Sequence, residues 1–157
     1  MKTQLLNVLS SLFLVLQALA AQTANYPVQP LIPPPTVIQQ ISDTADSLVK
    51  GYGSRPPYTG VKFAVGASLT QDEATLAAPY ILACESRNRD VGCIMDSNHK
   101  LSCGRGQFQD WPSWENESGI TGDPNNGSTS ISMLVWGLEN GYIGRWSCAR
   151  IEQILTN

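Results

Sequence analysis

Four cysteines in the second half of the chain constrain its fold more than any other feature: Cys84, Cys93, Cys103 and Cys148. The N-terminus ahead of them has the pattern of a secretory signal, with Lys2 before a mostly apolar run over 5–19 and small residues at Ala18 and Ala20. An uncleaved membrane anchor is the alternative, but polar residues shorten the apolar run below a good span. We therefore predict a signal peptide over 1–20 and a secreted, periplasmic or cell-envelope protein. Exported proteins meet oxidants, so four cysteines predict two disulfides.

The spacing of the cysteines favours one of the three possible pairings. Cys93 with Cys103 would close a short loop worth about 2 to 3 kcal/mol on the chain-entropy model. Cys84 with Cys148 would then tie the ends of the domain together. A zinc site that combines cysteines with the single histidine, His99, is the alternative, but the chain has no C-x-x-C pair. We expect His99 to be a surface side chain, and the sequence implies no cofactor or metal.

The length of 157 residues allows one domain with appendages. The net charge of -3 argues against nucleic acid as a partner, because such binders depend on clustered lysine and arginine. Prolines predict an extended spacer over 21–36, and 37–157 is left for the domain. No later segment reaches membrane-spanning length, so we expect no membrane span after signal removal, and a monomer.

Hydrophobic spacing predicts a mainly helical domain. Apolar residues recur at helical intervals over Val37–Lys50 and again over Ser130–Asn140, each followed by a glycine. Thr70 and Glu73 have the spacing of a capping box, which predicts a helix start. Pro79 either kinks this helix or begins a second one. The fold class is therefore predominantly α, a single small helical domain with two disulfides.

Glu85 is the candidate acid, because it follows an apolar stripe at or near the end of this helix. The negative end of the helix dipole and apolar surroundings both disfavour an ionised carboxylate, so the pKa of Glu85 should be raised. A carboxylic acid that is still protonated near neutral pH can protonate a glycosidic oxygen. The alternative is an exposed acid paired with Arg87 or Arg89.

The segment from Ser102 to Trp111 suggests the wall of a sugar-binding cleft. Its glycines, Gly104 and Gly106, would let the backbone approach a ligand closely. Flat aromatic faces and amide groups together are what such clefts require, and the chain supplies them at Trp111, Trp114, Tyr142, Gln107 and Gln109. The alternative is a glycine-rich turn beside tryptophans that belong to the core.

Three short motifs carry a family resemblance. Ile81-Leu82-Ala83-Cys84-Glu85-Ser86, then Gly106-Gln107-Phe108-Gln109, then Gly122-Asp123-Pro124 before a helical stretch, together resemble the lytic transglycosylase and goose-type lysozyme superfamily. The resemblance covers residues 70–151. It implies an α+β lysozyme-like fold over 37–157 and peptidoglycan glycan strands as the partner.

The resemblance also implies roles for individual residues. Glu85 matches the catalytic acid, Ser86 a residue that positions the acid or the substrate, and Gln109 an amide that lines the sugar cleft. Phe108 would pack in the core beneath the Gly106-Gln107-Phe108-Gln109 segment. The family's Ala-Tyr-Asn-Ala-Gly segment is missing, and Tyr142 is the candidate to replace its tyrosine.

The implied reaction is cleavage of the β-1,4 bond between N-acetylmuramic acid and N-acetylglucosamine. In a lytic transglycosylase one carboxylate acts first as acid and then as base, and the sequence favours this reaction with Glu85 alone. A hydrolytic muramidase would need a second carboxylate, for which the candidates are Asp96, Asp110, Glu115 and Glu117. The third possibility is a non-catalytic module that binds peptidoglycan or serves as a structural part of the envelope.

Overall fold

A computed structural model describes residues 32–51 and 56–156. The predicted signal peptide and most of the predicted spacer lie outside the described residues. The described part is rich in α-helix and contains a small antiparallel sheet of order β1-β2-β3. The helices are α1 Pro35–Lys50, α2 Gln71–Glu85, α3 Trp111–Ser118, α4 Gly127–Glu139 and α5 Ser147–Ile151. The strands are β1 Cys93–Met95, β2 Leu101–Cys103 and β3 Phe108–Gln109, and a 3₁₀ helix spans Tyr142–Arg145.

Helix α1 confirms the first periodic segment, with its buried face formed by Ile41, Ala45 and Leu48. It begins at Pro35, two residues inside the predicted spacer. Proline is well suited to the first turn of a helix, because the N–H that it lacks would have had no partner there. The helix ends at Lys50 and is capped by Gly51, as the sequence predicts.

Helix α2 begins with the predicted capping box. The Glu73 amide donates to the Thr70 hydroxyl at 3.3 Å, and the Thr70 amide donates to the Glu73 carboxylate at 2.8 Å. Pro79 lies inside one continuous helix, so no second helix begins there. The helix ends at Glu85, which confirms the predicted position of this acid.

Helix α4 lies in the core and confirms the second periodic segment: Ile131, Leu134, Val135 and Leu138 are all buried. Gly137 allows two tryptophans to approach the helix closely. A Cβ at this position would lie 2.8 Å from the Trp146 ring and 2.9 Å from the Trp114 ring. The helix therefore supports the aromatic rings that line the site described below.

The two disulfides are the pairs favoured from the sequence. Cys93 and Cys103 face each other across β1 and β2, and Cys84 at the end of α2 is bonded to Cys148 in α5. A thiolate is the form of cysteine that binds zinc, so the disulfides contradict the zinc alternative. His99 is exposed, as predicted.

Gly104 and Gly106 serve packing within the protein, which differs from the ligand approach predicted from the sequence. Gly104 has a positive φ of 72°, and a Cβ there would overlap the carbonyl oxygen of Pro124. A Cβ at Gly106 would lie 2.5 Å from the Phe108 ring.

Across residues 32–51 and 56–156, no helix combines the length and apolar character needed to cross a membrane.

Candidate active site

A cavity of about 940 Å³ lies between the end of α2, the sheet and the 3₁₀ helix. Its volume is at the upper end of the range of roughly 300–1,000 Å³ that is typical of ligand sites. Glu85 lines it together with both glutamines of the predicted cleft, Gln107 and Gln109. The sequence-based expectation that Glu85 and Gln109 face one groove therefore agrees with the structure. Further lining residues include Asp96, Asn98, Lys100, Ser102, Trp114, Glu117, Arg145 and Trp146.

Glu85 is held at the junction of α2 and α5. The disulfide at the preceding residue joins the two helices, and the Cys148 amide donates a hydrogen bond to Glu85 Oε1 at 3.3 Å. Burial raises the pKa of Glu85 above its ordinary value, and the negative charge of Asp96 raises it further. The Cys148 hydrogen bond opposes these effects, but the net direction is upward. Glu85 is thus suited to remain protonated and act as an acid.

Asp96 is located just after β1, in the turn that connects β1 to β2. Its Oδ2 accepts hydrogen bonds from the Ser102 hydroxyl and from Gln109 Nε2, the latter at 2.6 Å. These two hydrogen bonds hold the pKa of Asp96 below its ordinary value, and the bond from Ser102 has the larger effect. The pKa values of Asp96 and Glu85, which line the same cavity, are therefore shifted in opposite directions.

Gln109 faces the cavity and also makes hydrogen bonds within the protein. Its amide is hydrogen-bonded on both sides within the protein, since Oε1 also accepts from Asn98 Nδ2 at 3.3 Å. Gln109 thus lines the cavity and orients Asp96. Gln107 lines the cavity as well, with its side-chain amide donating to the Gly104 carbonyl at 2.7 Å. Phe108 is buried, as predicted, and its ring meets Trp111, Trp114 and Trp146 edge to face.

Three residues predicted to bind substrate do not line the cavity. Ser86 is buried, and its hydroxyl turns back to the Leu82 carbonyl at 3.4 Å, because it caps the last turn of α2. Trp111 is in the core, where its indole N–H donates to the Gly122 carbonyl at 3.0 Å.

Tyr142 is the third of these residues. It lies behind the cavity wall and donates to Glu117 Oε2 at 2.7 Å. Its ring packs against the rings of Trp114 and Trp136. The contact of Tyr142 with the cavity is therefore indirect, through Glu117 and Trp114, which do line it.

The four candidate second carboxylates are in different surroundings. Glu115 does not line the cavity and accepts the Gly122 amide at 3.0 Å. Asp110 and Glu117 line it, but Asp110 accepts the Ser113 hydroxyl and Glu117 the Tyr142 hydroxyl. Asp96 is the one whose charge acts on the pKa of Glu85. Of the four, Asp96 is therefore the best placed to work together with Glu85.

Three residues of the cavity lining, Trp146, Lys100 and Arg145, are not among those predicted from the sequence. Trp146 is held by a hydrogen bond from its indole N–H to the Gly106 carbonyl at 2.8 Å. The only local signal was the segment Gly144-Arg145-Trp146-Ser147-Cys148, which ends in a disulfide cysteine. Its partner Cys84 precedes Glu85, so this pairing places the segment beside the acid.

The site can protonate one atom of a bound molecule while presenting a negative charge to another. Within the described ranges no group of three or more histidine, cysteine, aspartate or glutamate residues is arranged to hold a metal ion. Comparisons with family models, curated proteins and solved structures found no match to this chain.

Proposed function

We propose that this protein is a secreted glycoside hydrolase with a lysozyme-like domain, which cleaves the β-1,4 bond between N-acetylmuramic acid and N-acetylglucosamine. The observation that carries the proposal is the pair Glu85 and Asp96. They face one cavity, and their environments shift their pKa values in opposite directions. A carboxyl group with a raised pKa beside one with a lowered pKa is the combination of acid and anion that glycosidases use.

The reaction begins with proton transfer from Glu85 to the glycosidic oxygen. As the bond to the leaving sugar breaks, positive charge develops on the anomeric carbon, and the Asp96 carboxylate stabilises it. Asp96 then either attacks this carbon to form a glycosyl ester or directs a water molecule to it. In the first case Glu85, now ionised, removes a proton from the water that releases the sugar. In the second case Asp96 takes the proton of that water, and proton exchange with solvent then restores protonated Glu85 and ionised Asp96. Both routes consume one water.

The second carboxylate is what favours hydrolysis over transglycosylation. A transglycosylase needs one group that is first acid and then base, and an ionised partner at the anomeric centre is not required. Here Ser102 and Gln109 both donate to Asp96 and lower its pKa, which favours the ionised form. Two side-chain donors on one carboxylate support a catalytic role for Asp96 more than the role of an ordinary surface acid.

Secretion is part of the proposal. The two disulfides of the structure suit an oxidising compartment. The signal-like segment over 1–20 lies outside the described residues and is supported by its sequence alone.

The test is digestion of purified peptidoglycan by the wild type and by Glu85→Gln, Asp96→Asn and Asp72→Asn. Asp72 is an exposed acid in the first turn of α2 and does not line the cavity, so Asp72→Asn is the matched control. We expect reducing ends from the wild type and the control. For Glu85→Gln and Asp96→Asn we expect rates about 10²- to 10⁴-fold lower, as is usual for the loss of acid-base groups.

Mass spectrometry of the fragments separates the alternatives. Anhydro-muropeptides that persist in Asp96→Asn would contradict hydrolysis and support transglycosylation by Glu85 alone. Cleavage that survives Asp96→Asn and is lost in a further variant, Asp110→Asn, would contradict the pairing of Glu85 with Asp96. Binding of peptidoglycan without any product would contradict catalysis and support the envelope-binding alternative.

A further inference from the structure

The guanidinium group of Arg145 is fixed against two aromatic rings at the cavity wall. Its central carbon lies 4.0 Å from the centre of the Tyr142 ring and 4.8 Å from the centre of the Trp114 ring. Stacking of this kind holds the planar group in one orientation, so little conformational freedom is lost when its N–H groups bind a ligand. Arg145 also ends the 3₁₀ helix, which is anchored by the buried Ile143. It is therefore a positioned cation.

The ion pair of Arg145 is weak. Its Nη2 lies 4.0 Å from Glu117 Oε2, and the two side chains are 46% and 41% exposed. That same oxygen accepts the Tyr142 hydroxyl at 2.7 Å. An exposed ion pair at this distance contributes little to stability, so a ligand carboxylate can compete with Glu117 for the guanidinium.

Neutral sugars do not require a cation in the wall of their site. Their hydroxyl and acetamido groups need only uncharged hydrogen-bond donors and acceptors. An anionic ligand, by contrast, would be repelled by Asp96 and Glu117 unless a positive group offsets them. Among the described residues, Arg145 and Lys100 are the cations in the lining, and Arg145 is the one stacked on rings.

We propose that Arg145 determines specificity by binding a carboxylate of the glycan, so that the site prefers a carboxylate-bearing amino-sugar polymer to a neutral one. This inference rests on the proposed function, since it concerns the substrate of the same cavity. Arginine suits the task because its fork of N–H groups matches the two oxygens of a carboxylate. The carboxylate is either the lactyl group of a muramic acid or an acidic group of an attached peptide.

The experiment measures binding by calorimetry in the Glu85→Gln background, where no ligand is consumed. Three ligands of equal sugar number are compared: a neutral N-acetylglucosamine tetramer, a peptide-free tetramer that contains muramic acid, and the same tetramer carrying stem peptides. Arg145→Gln is expected to weaken binding of the acidic ligands about 10-fold and to leave the neutral one nearly unchanged. Arg145→Lys keeps the charge without the fork and should give an intermediate loss.

Arg150→Gln is the matched control, since Arg150 is exposed on α5 and does not line the cavity. It should alter none of the affinities. Loss confined to the peptide-free acidic tetramer identifies the lactyl carboxylate as the partner of Arg145, and loss confined to the peptide-bearing ligand identifies the peptide. The preference should also shrink as salt is raised.

Two results would overturn the inference: equal affinities for neutral and acidic tetramers, or a preference that Arg145→Gln leaves intact. The binding assay is independent of turnover, so the two proposals fail separately. A wild type that cleaves no glycan would refute the hydrolase, yet the contribution of Arg145 would still be decided by the affinities. Cleavage with an unchanged preference in Arg145→Gln would refute the specificity and leave the hydrolase.

Discussion

The two disulfides close loops of very different length, and this difference predicts how much each one stabilises the fold. Cys84 and Cys148 are 64 residues apart, and Cys93 and Cys103 are 10 apart. On the chain-entropy model a loop of the first size is worth about 4.3 kcal/mol and one of the second size about 2.7 kcal/mol. The difference is three-halves of RT times the logarithm of the ratio of separations, or about 1.6 kcal/mol.

The assay compares two double variants, Cys84→Ala with Cys148→Ala and Cys93→Ala with Cys103→Ala. Urea unfolding is followed by tryptophan fluorescence, and the free energy of unfolding is extrapolated to zero urea. The variants are matched, because each replaces two cysteines and keeps the other disulfide. Each pair contains one buried cysteine, Cys148 or Cys103, but Cys84 is half-buried while Cys93 is exposed. The space left by the lost sulfurs therefore adds slightly more to the cost of removing the longer-range bond.

We expect the variant without the Cys84–Cys148 bond to be less stable than the other by about 1.6 kcal/mol or more. Equal losses, or a larger loss for the Cys93–Cys103 pair, would refute the argument from loop length. Either result would indicate that the sheet depends mainly on the Cys93–Cys103 disulfide. It would also indicate that α2 and α5 stay in contact without the Cys84–Cys148 disulfide. Mass spectrometry of each variant verifies that the remaining bond has formed.

Three further outcomes are expected. The kcat/KM of the wild type should be bell-shaped in pH: it rises as Asp96 ionises, below the ordinary pKa of 3.8, and falls as Glu85 loses its proton, above the ordinary pKa of 4.5. In Asp96→Asn the residual activity should fall on the basic side at a lower pH than in the wild type, because the charge that raises the pKa of Glu85 is gone. A fall at the same pH as in the wild type would show that the two groups do not interact. Gly137→Ala should cost about 1–3 kcal/mol in urea unfolding and lower activity, because its methyl group displaces Trp114 and Trp146; wild-type stability would contradict the packing described for α4.

Local signals were sufficient for α1, α2 and α4 and for the position of the acid, but not for α3 and α5. The capping box at Thr70 and Glu73 involves residues three apart, and the stripes of α1 and α4 repeat within one helix, so neighbours in the sequence contain the information. Glu85 was placed at a helix end by the same reasoning. Its raised pKa was also predicted, because the apolar residues before it already indicated burial.

Contacts between distant residues decided what the sequence did not show. Trp111 and Trp146 look equivalent in sequence, but Trp111 donates to the Gly122 carbonyl inside the core while Trp146 donates to the Gly106 carbonyl at the cavity wall. The second of these bonds spans 40 residues. Asp96 likewise depends on a sheet that brings Ser102 and Gln109 to it from 6 and 13 residues away. No local pattern specifies such partners.

The position of the site follows from the opposite needs of its two carboxyl groups. An acid that stays protonated needs burial, which the end of a helix packed on the core provides for Glu85. An anion needs donors and water, which the turn of a small sheet provides for Asp96. A junction between a buried helix end and an exposed sheet meets both needs, and here each side is held by a disulfide close to its carboxylate, at Cys84 and at Cys93. The cysteines that constrain the fold thus also hold the two groups of the proposed reaction in place.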